Sequence, residues 1–523
     1  MSPSADSGRL VAVNPATGEI LGEFPAATPD EIRQVVCRAR DAQAAWAGLP
    51  PSERADALRP LQERLARRAE ALALAITRST GKPLVETYSS ELVPVAHLLR
   101  YYRRRAPALL APRRRRLGIL DWAGRRSYVE RRPAGVVAVL SPWNYPFSIP
   151  AGDAILALLA GCTVVLKPSE YVPLVGRALE ELFDGIFPPG AFSVVQGGPA
   201  AGEALLEARP DRIVFTGSAA TGRRVLAAAA RHLVPCTLEL GGKDPMIVLA
   251  DAPLELTAQA AVWGSFTNAG QVCASVKRIY VESPAADRFI DLVVQYTRSL
   301  RVGDPLDPRT DVGALLSEAH LERLLRRIDE AVRAGARLRI GGRRLNRPGF
   351  FLEPCVLEVE DPAAAILREE IFGPVLPICR VSDAEEAVLR ANDSPFGLTA
   401  SVWTRNPARG RALAARLQAG TVLVNECTYA HALAEAPWGG VKESGFGRTR
   451  GHEGLLEFTQ PVHVHENRNL KRRSPWWFPY DEALAEGLRA TLRYYTEGGL
   501  RALASLLGRF PFSRLKPPSK ARD

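Results

Sequence analysis

The chain of 523 residues is too long for one hydrophobic core, and its length indicates two or three domains. A hydrophobic fraction of 46% and a charged fraction of 24% are typical of a soluble globular enzyme. The net charge of +11 is concentrated at the C-terminus, because residues 468–523 hold twelve Lys or Arg but only five Asp or Glu. The remaining chain is close to balanced, so nucleic acid is not an expected partner.

Seven cysteines are dispersed along the chain without a CxxC pair. An odd, dispersed set argues against a disulfide framework and against a zinc site, and it suits a reducing compartment. The N-terminus, MSPSADSGRL, lacks the basic and apolar segments of a secretory signal. We therefore expect a cytoplasmic protein without a bound metal.

The first predicted elements are helices. Helical periodicity runs from Pro29 to Ala47 and from Ser52 to Thr80, and Gly81 is well placed to end the second helix. Four consecutive arginines at residues 113–116 are predicted to lie in a solvated loop.

An almost uncharged stretch runs from Pro133 to Leu166, with Asp153 as its one charged residue. Its length could span a bilayer, but three prolines interrupt it. Proline ends helices and removes backbone donors. We therefore predict a strand (Gly135–Leu140), a loop and a helix (about Ala151–Ala160) inside a buried α/β core.

Short apolar runs alternate with helical stretches through much of the chain, which predicts parallel sheets joined by crossover helices in a doubly wound α/β fold. A second alternating set runs from about Leu254 to Gly440. The runs predicted as strands of a parallel sheet are Val136–Leu140, Thr163–Leu166, Phe192–Val195, Ile213–Phe215 and Met246–Leu249.

Two residues are candidates for covalent chemistry. Cys273 lies in NAGQVCAS, where the polar, glycine-containing approach is more than a core-filling cysteine needs. The thiolate is the reactive form of cysteine, so Cys273 needs nearby donors or a base. Glu239, in LELGGKDP, ends an apolar segment, and an apolar pocket raises the pKa of a carboxylate towards that of a general base. The alternatives are a buried structural thiol and a strand-end carboxylate beside a glycine turn.

Asn144, Glu370 and Phe372 lie in loops that also allow two interpretations. Asn144, in SPWNYPF, is either a turn residue or an amide donor to a developing oxyanion, where one donor changes the rate by about 10² to 10³. Glu370 and Phe372, in REEIFGPVLP, are either structural or contact the ribose and the planar ring of a cofactor.

Two strand ends suit the binding of a nucleotide. Lys167 and Glu170 follow a strand at the edge where parallel sheets bind ligands, and together they could hold a ribose. Gly217 and Ser218 open a helix after another strand, where helix N–H groups can bind a pyrophosphate. A solvated lysine and an ordinary helix start are the alternatives.

In their order and spacing these motifs resemble the aldehyde dehydrogenase superfamily over about residues 10–465. The resemblance implies oxidation of an aldehyde to a carboxylic acid through a thioester on Cys273, with Glu239 as the base and Asn144 as an oxyanion donor. The motifs that carry it are PWN, KPSE, FTGS, LELGGK, GQVCAS, EEIFGPV and PWGGVKESGFGR. The cofactor-binding residues that it implies are Trp143, Lys167, Glu170, Gly217, Ser218, Glu370 and Phe372.

The resemblance also implies NAD as the cofactor. Glu170 would accept hydrogen bonds from ribose hydroxyls and repel a 2′-phosphate, although Lys167 could soften that repulsion and allow NADP. The presence of Glu239 favours hydrolysis, because relatives that pass the thioester to coenzyme A typically lack this base. An inactive scaffold paralogue would have lost the nucleophile or the base, and both are present.

The implied fold is aldehyde dehydrogenase-like. It comprises a Rossmann-like NAD-binding domain (residues 1–114 and 133–241) and an α/β catalytic domain (residues 242–443). Residues 115–132 and 455–465 would form a small β oligomerisation element, so a second copy of the chain, in a homodimer or homotetramer, is the expected partner.

The resemblance also suggests the kind of aldehyde. Gly152 stands where many relatives carry a bulky pocket residue, and Tyr145 and Trp438 are expected to line the tunnel. A small residue at this position predicts room for a wide or long, hydrophobic aldehyde. No arginine can be placed from the sequence as an anchor for a carboxylated aldehyde.

Residues 466–523 extend past the end of the family's fold as a basic, amphipathic, helical extension. Asp481 is placed to cap a first helix that Gly498 ends. The apolar positions are Leu484, Leu488, Leu492 and Tyr495 in this helix and Leu500, Leu503, Leu507 and Phe510 in a second one. Four arginines and the pair Trp476 and Trp477 accompany them. The helices either dock on the protein itself or its partner subunit, or contact a membrane peripherally.

Overall fold

The structure is a computed structural model that describes residues 8–117, 124–469, 474 and 476–509. The chain forms two compact units. The first contains Met1–Ala111 and Arg132–Gln460, and the second contains Pro112–Arg131 and Pro461–Asp523. No helix in the described part of the chain is both long and apolar enough to cross a lipid bilayer.

The strands are short and lie mostly in the first unit. In chain order they are β1 (Arg9–Val13), β2 (Ile20–Pro25), β3 (Arg113–Arg115), β4 (Arg125–Pro133), β5 (Val136–Leu140), β6 (Thr163–Lys167), β7 (Phe192–Val194), β8 (Arg212–Thr216), β9 (Cys236–Glu239), β10 (Pro245–Val248), β11 (Arg278–Glu282), β12 (Arg337–Ile340), β13 (Cys355–Glu358), β14 (Val375–Val381), β15 (Phe396–Gly397), β16 (Thr399–Trp403), β17 (Thr421–Val424), β18 (Val441–Lys442), β19 (Gly445–Phe446) and β20 (Thr459–Asn467).

The α-helices alternate with these strands. They are α1 (Pro29–Gly48), α2 (Pro51–Ala57), α3 (Arg59–Thr80), α4 (Leu84–Thr87), α5 (Val93–Leu110), α6 (Ser148–Ala160), α7 (Pro173–Phe183), α8 (Pro199–Glu207), α9 (Ala219–Ala230), α10 (Leu254–Phe266), α11 (Ser283–Ser299), α12 (Glu318–Arg333), α13 (Ala365–Arg368), α14 (Ala384–Asn392), α15 (Pro407–Ala414), α16 (Gly451–Glu457), α17 (Glu482–Glu497) and α18 (Gly499–Arg509). A π-helical turn, Tyr88–Leu92, joins α4 to α5, and 3₁₀ turns occupy Thr267–Gly270 and Tyr429–Ala432.

Two largely parallel sheets confirm the predicted α/β fold. The first has the strand order β19-β9-β8-β5-β6-β7, and the second has the order β12-β13-β14-β11-β10-β16-β17. Only β19 and β12 run antiparallel to their neighbours in these sheets, among the described strands. Alternate residues of β5 contribute to hydrophobic clusters on opposite faces, with Val137 in one and Val136 in the other. Both faces of the first sheet are therefore covered, as a doubly wound architecture requires.

The five predicted strands are confirmed to within one residue at each end, but Met246–Leu249 belongs to the second sheet as β10. The uncharged stretch is buried core, as predicted, because every residue of α6 is buried. Its helix starts at Ser148 instead of Ala151, since Pro150 lies in the first turn, where no backbone donor is needed. Glu91 accepts hydrogen bonds from the N–H groups of Phe147 and Ser148 at 3.2 and 2.7 Å and caps this helix.

Two predictions of local structure are wrong. Residues 52–80 do not form one helix, because the chain breaks at Leu58 between α2 and α3. Pro60 lies in the first turn of α3, where proline is tolerated, whereas inside a continuous helix it would clash with the preceding turn. Residues 113–115 are not a loop but the edge strand β3, whose three arginine side chains are exposed. Gly81 ends α3 in a left-handed conformation (φ 74°), as predicted.

The second unit contains a three-stranded sheet of order β20-β4-β3 and the helices α17 and α18. Asp481 caps α17, as predicted, by accepting a hydrogen bond from the Leu484 N–H at 2.8 Å, and Gly498 ends it. Arg125 on β4 donates to Ser474 Oγ at 2.6 Å, and its guanidinium lies 5.6 Å from the Trp476 ring. Phe510, predicted for the last helix, lies outside the described residues.

Candidate active site

A cleft of about 390 Å³ opens at the carboxyl ends of β5, β8 and β9. This is the edge at which open parallel sheets bind ligands. Eight of the ten predicted site residues line it: Trp143, Asn144, Gly217, Ser218, Glu239, Cys273, Glu370 and Phe372. Lys167 and Glu170 are not among its lining residues. They lie at the end of β6, with the Lys167 ammonium 3.6 Å from the Glu170 carboxylate, and the next residue, Tyr171, does line the cleft.

The backbone just before Cys273 is held in an unusual conformation. Asn268, Ala269 and Gly270 have consecutive positive φ angles of 51°, 53° and 70°. A non-glycine residue in this region costs roughly 1–2 kcal/mol, so the turn must be held from outside. Glu86 does so by accepting hydrogen bonds from the Thr267 hydroxyl and the Asn268 N–H, both at 2.8 Å.

Gly270 brings the cysteine loop against the loop that carries Glu370 and Phe372. A Cβ atom at Gly270 would lie 2.7 Å from Pro374 N and still closer to the backbone of Gly373. A side chain is therefore excluded at this position both by contact and by the positive φ. The GQVCAS and EEIFGPV motifs, far apart in sequence, meet here backbone to backbone.

Asn144 is fixed beside the nucleophile by the same turn. Its Nδ2 donates to the Gln271 carbonyl at 3.0 Å, and its own carbonyl accepts from Asn268 Nδ2 at 3.1 Å. The side-chain amide has two N–H donors, so this bond orients the group and uses one of them. The arrangement suits a preorganised donor near Cys273.

Lys277, which the sequence analysis did not select, links three of the motifs. Its ammonium donates to the carbonyls of Gly242 and Cys273 at 2.8 and 2.7 Å and to Glu370 Oε1 at 2.6 Å. Glu370 Oε1 also accepts from the Gly242 N–H at 3.1 Å. A signal was present, because Lys277 is the first charged residue after Glu255 in a long uncharged stretch.

Burial changes the acid–base properties of both chemical groups. It raises the pKa of the Cys273 thiol to about 12, an effect that the Lys277 ammonium partly offsets. It also raises the pKa of Glu239 well above its usual range, and the neighbouring Asp153 adds to the rise. Neither carboxylate oxygen of Glu239 has a hydrogen-bond partner among the described residues. Glu239 is thus a buried carboxylate with free acceptors beside a thiol, which suits a general base.

Aromatic side chains form one wall of the cleft. The Trp143 and Phe372 rings meet edge to face with centroids 5.6 Å apart. His320, at the start of α12, contacts the Phe372 carbonyl through Nε2 at 2.9 Å. Burial lowers the pKa of His320 to about 4, so this histidine is neutral near pH 7. No sequence motif marks His320, because it comes from a helix outside the quoted motifs.

The position of Gly152 corrects one expectation. A Cβ atom at Gly152 would lie 2.7 Å from Arg450 Nη2 and 2.8 Å from Arg450 Cζ. The space left by the missing side chain is filled by the Arg450 guanidinium, so Gly152 does not widen the pocket. Tyr145 and Trp438 do belong to the apolar cluster against which Cys273 packs, and Trp438 lines the cavity beside it.

Comparison with known proteins identifies the family that the whole chain resembles. Residues 3–464 match the model of the aldehyde dehydrogenase family. The chain is 40% identical over 486 residues to a 4,4'-diapolycopene aldehyde oxidase of a Methylomonas species, which covers 93% of this chain and 91% of that protein. It is also 40% identical over 458 residues to a betaine aldehyde dehydrogenase of Cereibacter sphaeroides, which covers 87% of this chain and 93% of that one. A crystal structure of a Mycobacterium tuberculosis aldehyde dehydrogenase with NAD+ superposes with a TM-score of 0.84 at 36% identity, covering 89% of this chain and 95% of that one.

The close approach at Gly270 generates a prediction. Gly270→Ala should lower the free energy of unfolding by about 2–4 kcal/mol, because it adds a steric clash to the strain of a positive φ. Gly185→Ala is the matched control. Gly185 has a similar φ of 64° but no atom within 4 Å of the added Cβ, so we expect about 1 kcal/mol there. Urea denaturation measures both. Equal losses in the two variants would show that the two loops are not in tight contact.

Proposed function

The chain belongs to the aldehyde dehydrogenase family. We propose that it oxidises an aldehyde to a carboxylic acid through a thioester on Cys273, and that Glu239 is the base for hydrolysis of this thioester by water. The main support is that Cys273, Asn144 and Glu239 line one cleft, with the Glu239 carboxylate buried and without a hydrogen-bond partner among the described residues. A nucleophile, an oxyanion donor and a base are the groups that this reaction needs.

Cys273 acts first in this scheme. The Cys273 thiolate attacks the aldehyde carbon, and the negative charge that moves to oxygen is stabilised by the second N–H of the Asn144 amide and by the Cys273 backbone N–H. After oxidation, a water molecule attacks the thioester carbon while Glu239 takes its proton. The carbon–sulfur bond then breaks and the acid leaves.

A nicotinamide nucleotide, when bound, supplies the acceptor for the hydride that leaves the substrate carbon. The residues present fit such a group. Gly217 and Ser218 lie on the cleft at the N-terminus of the 12-residue helix α9, and helix N-termini bind pyrophosphate. Trp143, Phe372 and the fixed carboxylate of Glu370 would hold the nicotinamide riboside. Lys167 and Glu170 would hold the adenosine ribose, and we propose NAD over NADP on the charge of Glu170.

We also propose that the substrate is apolar. The residues around Cys273 form a hydrophobic cluster that includes Ile149, Val272, Leu398 and Trp438. A relative named for 4,4'-diapolycopene aldehyde favours this class, whereas the betaine aldehyde relative makes a small cationic aldehyde the alternative. The chain has 523 residues, so a matched stretch of 486 starts no later than residue 38 and ends no earlier than residue 486. The match to the first relative therefore extends into α17.

We propose the NAD-binding domain at residues 1–114 and 133–241 and the catalytic domain at residues 242–443. Residues 115–132 and 455–465 would join copies of the chain as a homodimer or homotetramer.

The C-terminal helices have an unusual distribution of side chains. In α17 the buried residues are Leu484 and the small Gly487 and Ala490, whereas Leu488, Leu492 and Tyr495 are exposed by 48%, 64% and 74%. In α18, Ala502 and Leu506 are buried while Leu500 and Leu507 are exposed. Each helix therefore buries one leucine but leaves at least two large apolar side chains exposed, more than a helix pair in water alone requires.

We propose that an anionic membrane surface covers these apolar faces. Arg489, Arg493, Arg501 and Arg509 are exposed on the same two helices. Trp476, Trp477, Phe478 and Tyr480, just before α17, are also exposed. Outward leucines flanked by arginines and preceded by aromatic residues are the composition of helices that lie in the headgroup region. The net positive charge of residues 468–523 complements anionic lipid.

Substitution of the base tests the chemistry. Glu239→Gln should give a stoichiometric burst of NADH and then a turnover reduced by at least about 10²-fold, because an amide cannot accept the proton of water. Mass spectrometry should detect the trapped acyl-enzyme. Cys273→Ala is the reference and should abolish both the burst and any esterase activity. Steady-state turnover near that of the wild type in Glu239→Gln would place the base elsewhere.

A panel of aldehydes of graded length and charge, assayed with NAD and NADP in parallel, tests the specificity. We expect kcat/KM to rise with apolar chain length and to be higher with NAD. Glu170→Ser should raise the relative use of NADP, because it removes the charge that repels a 2′-phosphate. A higher kcat/KM for NADP in the wild type would contradict the cofactor assignment, and a preference for betaine aldehyde would contradict the substrate class.

Sedimentation with phosphatidylcholine vesicles, with and without phosphatidylserine, tests the membrane contact. The full chain should bind the anionic vesicles at low salt and less at high salt. Leu488→Ser/Leu492→Ser should reduce binding by roughly tenfold or more, since it removes buried apolar area. Leu389→Ser is the matched control, because Leu389 is 70% exposed on α14. Unchanged vesicle binding in the double variant, or an altered oligomeric state without vesicle binding, would contradict the proposal and assign this face to a second copy.

A further inference from the structure

A small cavity adjoins Cys273 and is not accounted for by the proposed nucleotide or by the open cleft. Its volume is about 20 Å³, close to that of one water molecule. Its polar wall is formed by Asp153, Thr216, Glu239, Thr449 and Arg450, and its remaining lining includes Ile149, Leu398, His431 and Trp438.

Polar atoms without partners point to a bound water in this cavity. Both carboxylate oxygens of Glu239 and the Nη1 of Arg450 are buried and have no hydrogen-bond partner among the described residues. Arg450 is only 3% exposed. Buried polar groups are nearly always hydrogen-bonded, and a water needs two to four polar partners. One donor and two acceptors, on two residues that line a water-sized space, meet that need.

Arg450 is fitted into this position at a cost. Its backbone has a φ of 61°, which is strained for a residue with a side chain. Its Nη2 lies 3.4 Å from the Ser148 carbonyl, and its guanidinium fills the space where Gly152 lacks a Cβ atom. A strained backbone at a residue whose side chain needs the space left by a glycine elsewhere in the chain is typical of a functional site.

The charges around Glu239 show why a cation is needed here. Burial raises the pKa of Glu239, Asp153 and Glu457 raise it further, and Arg448 and Arg450 lower it. Burial also raises the pKa of Asp153 to about 7, and Arg450 lowers it. His431 supplies no charge, because burial lowers its pKa to about 3.

We propose that Arg450 is a positioning residue for hydrolysis: through one water in this cavity its guanidinium holds the ionised Glu239 carboxylate towards the thioester on Cys273, and Gly152 is required to seat it. The inference rests on the proposed function of Glu239. In the hydrolysis step that Arg450 supports, the oxygen of the attacking water bonds to the thioester carbon, and one proton of that water passes to Glu239. The carbon–sulfur bond breaks, and its electron pair leaves on the Cys273 sulfur.

Hydrolysis of 4-nitrophenyl acetate without cofactor tests the proposal, because the burst reports acylation and the steady state reports deacylation. Arg450→Met should keep the burst amplitude and lower the steady-state rate by about tenfold or more. The acidic limb of the steady-state pH profile should move to higher pH, since loss of the cation leaves Glu239 protonated until a higher pH. Acyl-enzyme should accumulate in mass spectra, and Arg450→Lys should restore part of the rate.

Gly152→Ala provides an independent variant, because its Cβ atom would displace the guanidinium while leaving Arg450 in the chain. It should reproduce the defect of Arg450→Met, and it should add little in the Arg450→Met background, where the long cation is gone. Additive defects in the double variant would contradict the seating of Arg450 by Gly152.

Two outcomes would overturn the inference. An unchanged pH profile in Arg450→Met, together with a raised KM for carboxylated aldehydes only, would make Arg450 a substrate anchor. If the steady-state rate falls in Glu239→Gln but is normal in Arg450→Met, the role of Arg450 is rejected and the proposed function is kept. If Glu239→Gln itself turns over normally, the proposed function has failed, and the two failures are therefore distinguishable.

Discussion

The site depends on the three hydrogen bonds that the buried ammonium of Lys277 donates. This ammonium joins the Gly242 carbonyl, the Cys273 carbonyl and the Glu370 carboxylate, which belong to three motifs separated by many residues. Hydrogen bonds that involve a charged group contribute about 1.5–3 kcal/mol each, and removal of one partner of a buried ion pair typically costs 3–5 kcal/mol. Loss of this one cation would therefore release the cysteine loop and the Glu370 loop together.

Two groups of charged residues lie near the nucleophile. In the first, Lys277 and Glu370 form an ion pair at the cleft proposed to hold the nicotinamide riboside. In the second, Asp153, Glu239 and Arg450 line the water-sized cavity. Cys273 contributes to the lining of both spaces. Each group contains a cation, and Lys277 and Arg450 each lie close to the carboxylates of their own group.

The fold could be predicted from the sequence where local pattern and tertiary structure agree. The apolar strands β5, β6 and β8 are buried on both faces, so their hydrophobic runs identify them. The helix break at Leu58 was missed because the apolar periodicity continues through it, and only Pro60 marks the change. The strand β3 was missed because its exposed arginines give it no apolar pattern.

The site was predictable only where residues belong to a motif. Cys273, Glu239 and Asn144 were found through theirs, and the structure brings them together. Arg450 and Gly152 carry no pattern that connects them, because their relation is a steric one between α6 and the residue before α16. A glycine in a sequence predicts empty space in a pocket. In this fold Gly152 instead leaves room for the guanidinium of Arg450, which is distant in sequence.

The C-terminal helices show a related limit of sequence analysis. Periodicity predicted the apolar positions of α17, but it could not say that Leu484 is buried while Leu488 and Leu492 are exposed. Helices of 16 and 11 residues are marginal in water by themselves and depend on a surface that covers their apolar face. In this pair only Leu484 and Leu506 are buried among the large apolar residues, so Leu488, Leu492, Tyr495, Leu500 and Leu507 leave much of the apolar area exposed. The proposed membrane contact would therefore both cover this apolar area and stabilise the two helices.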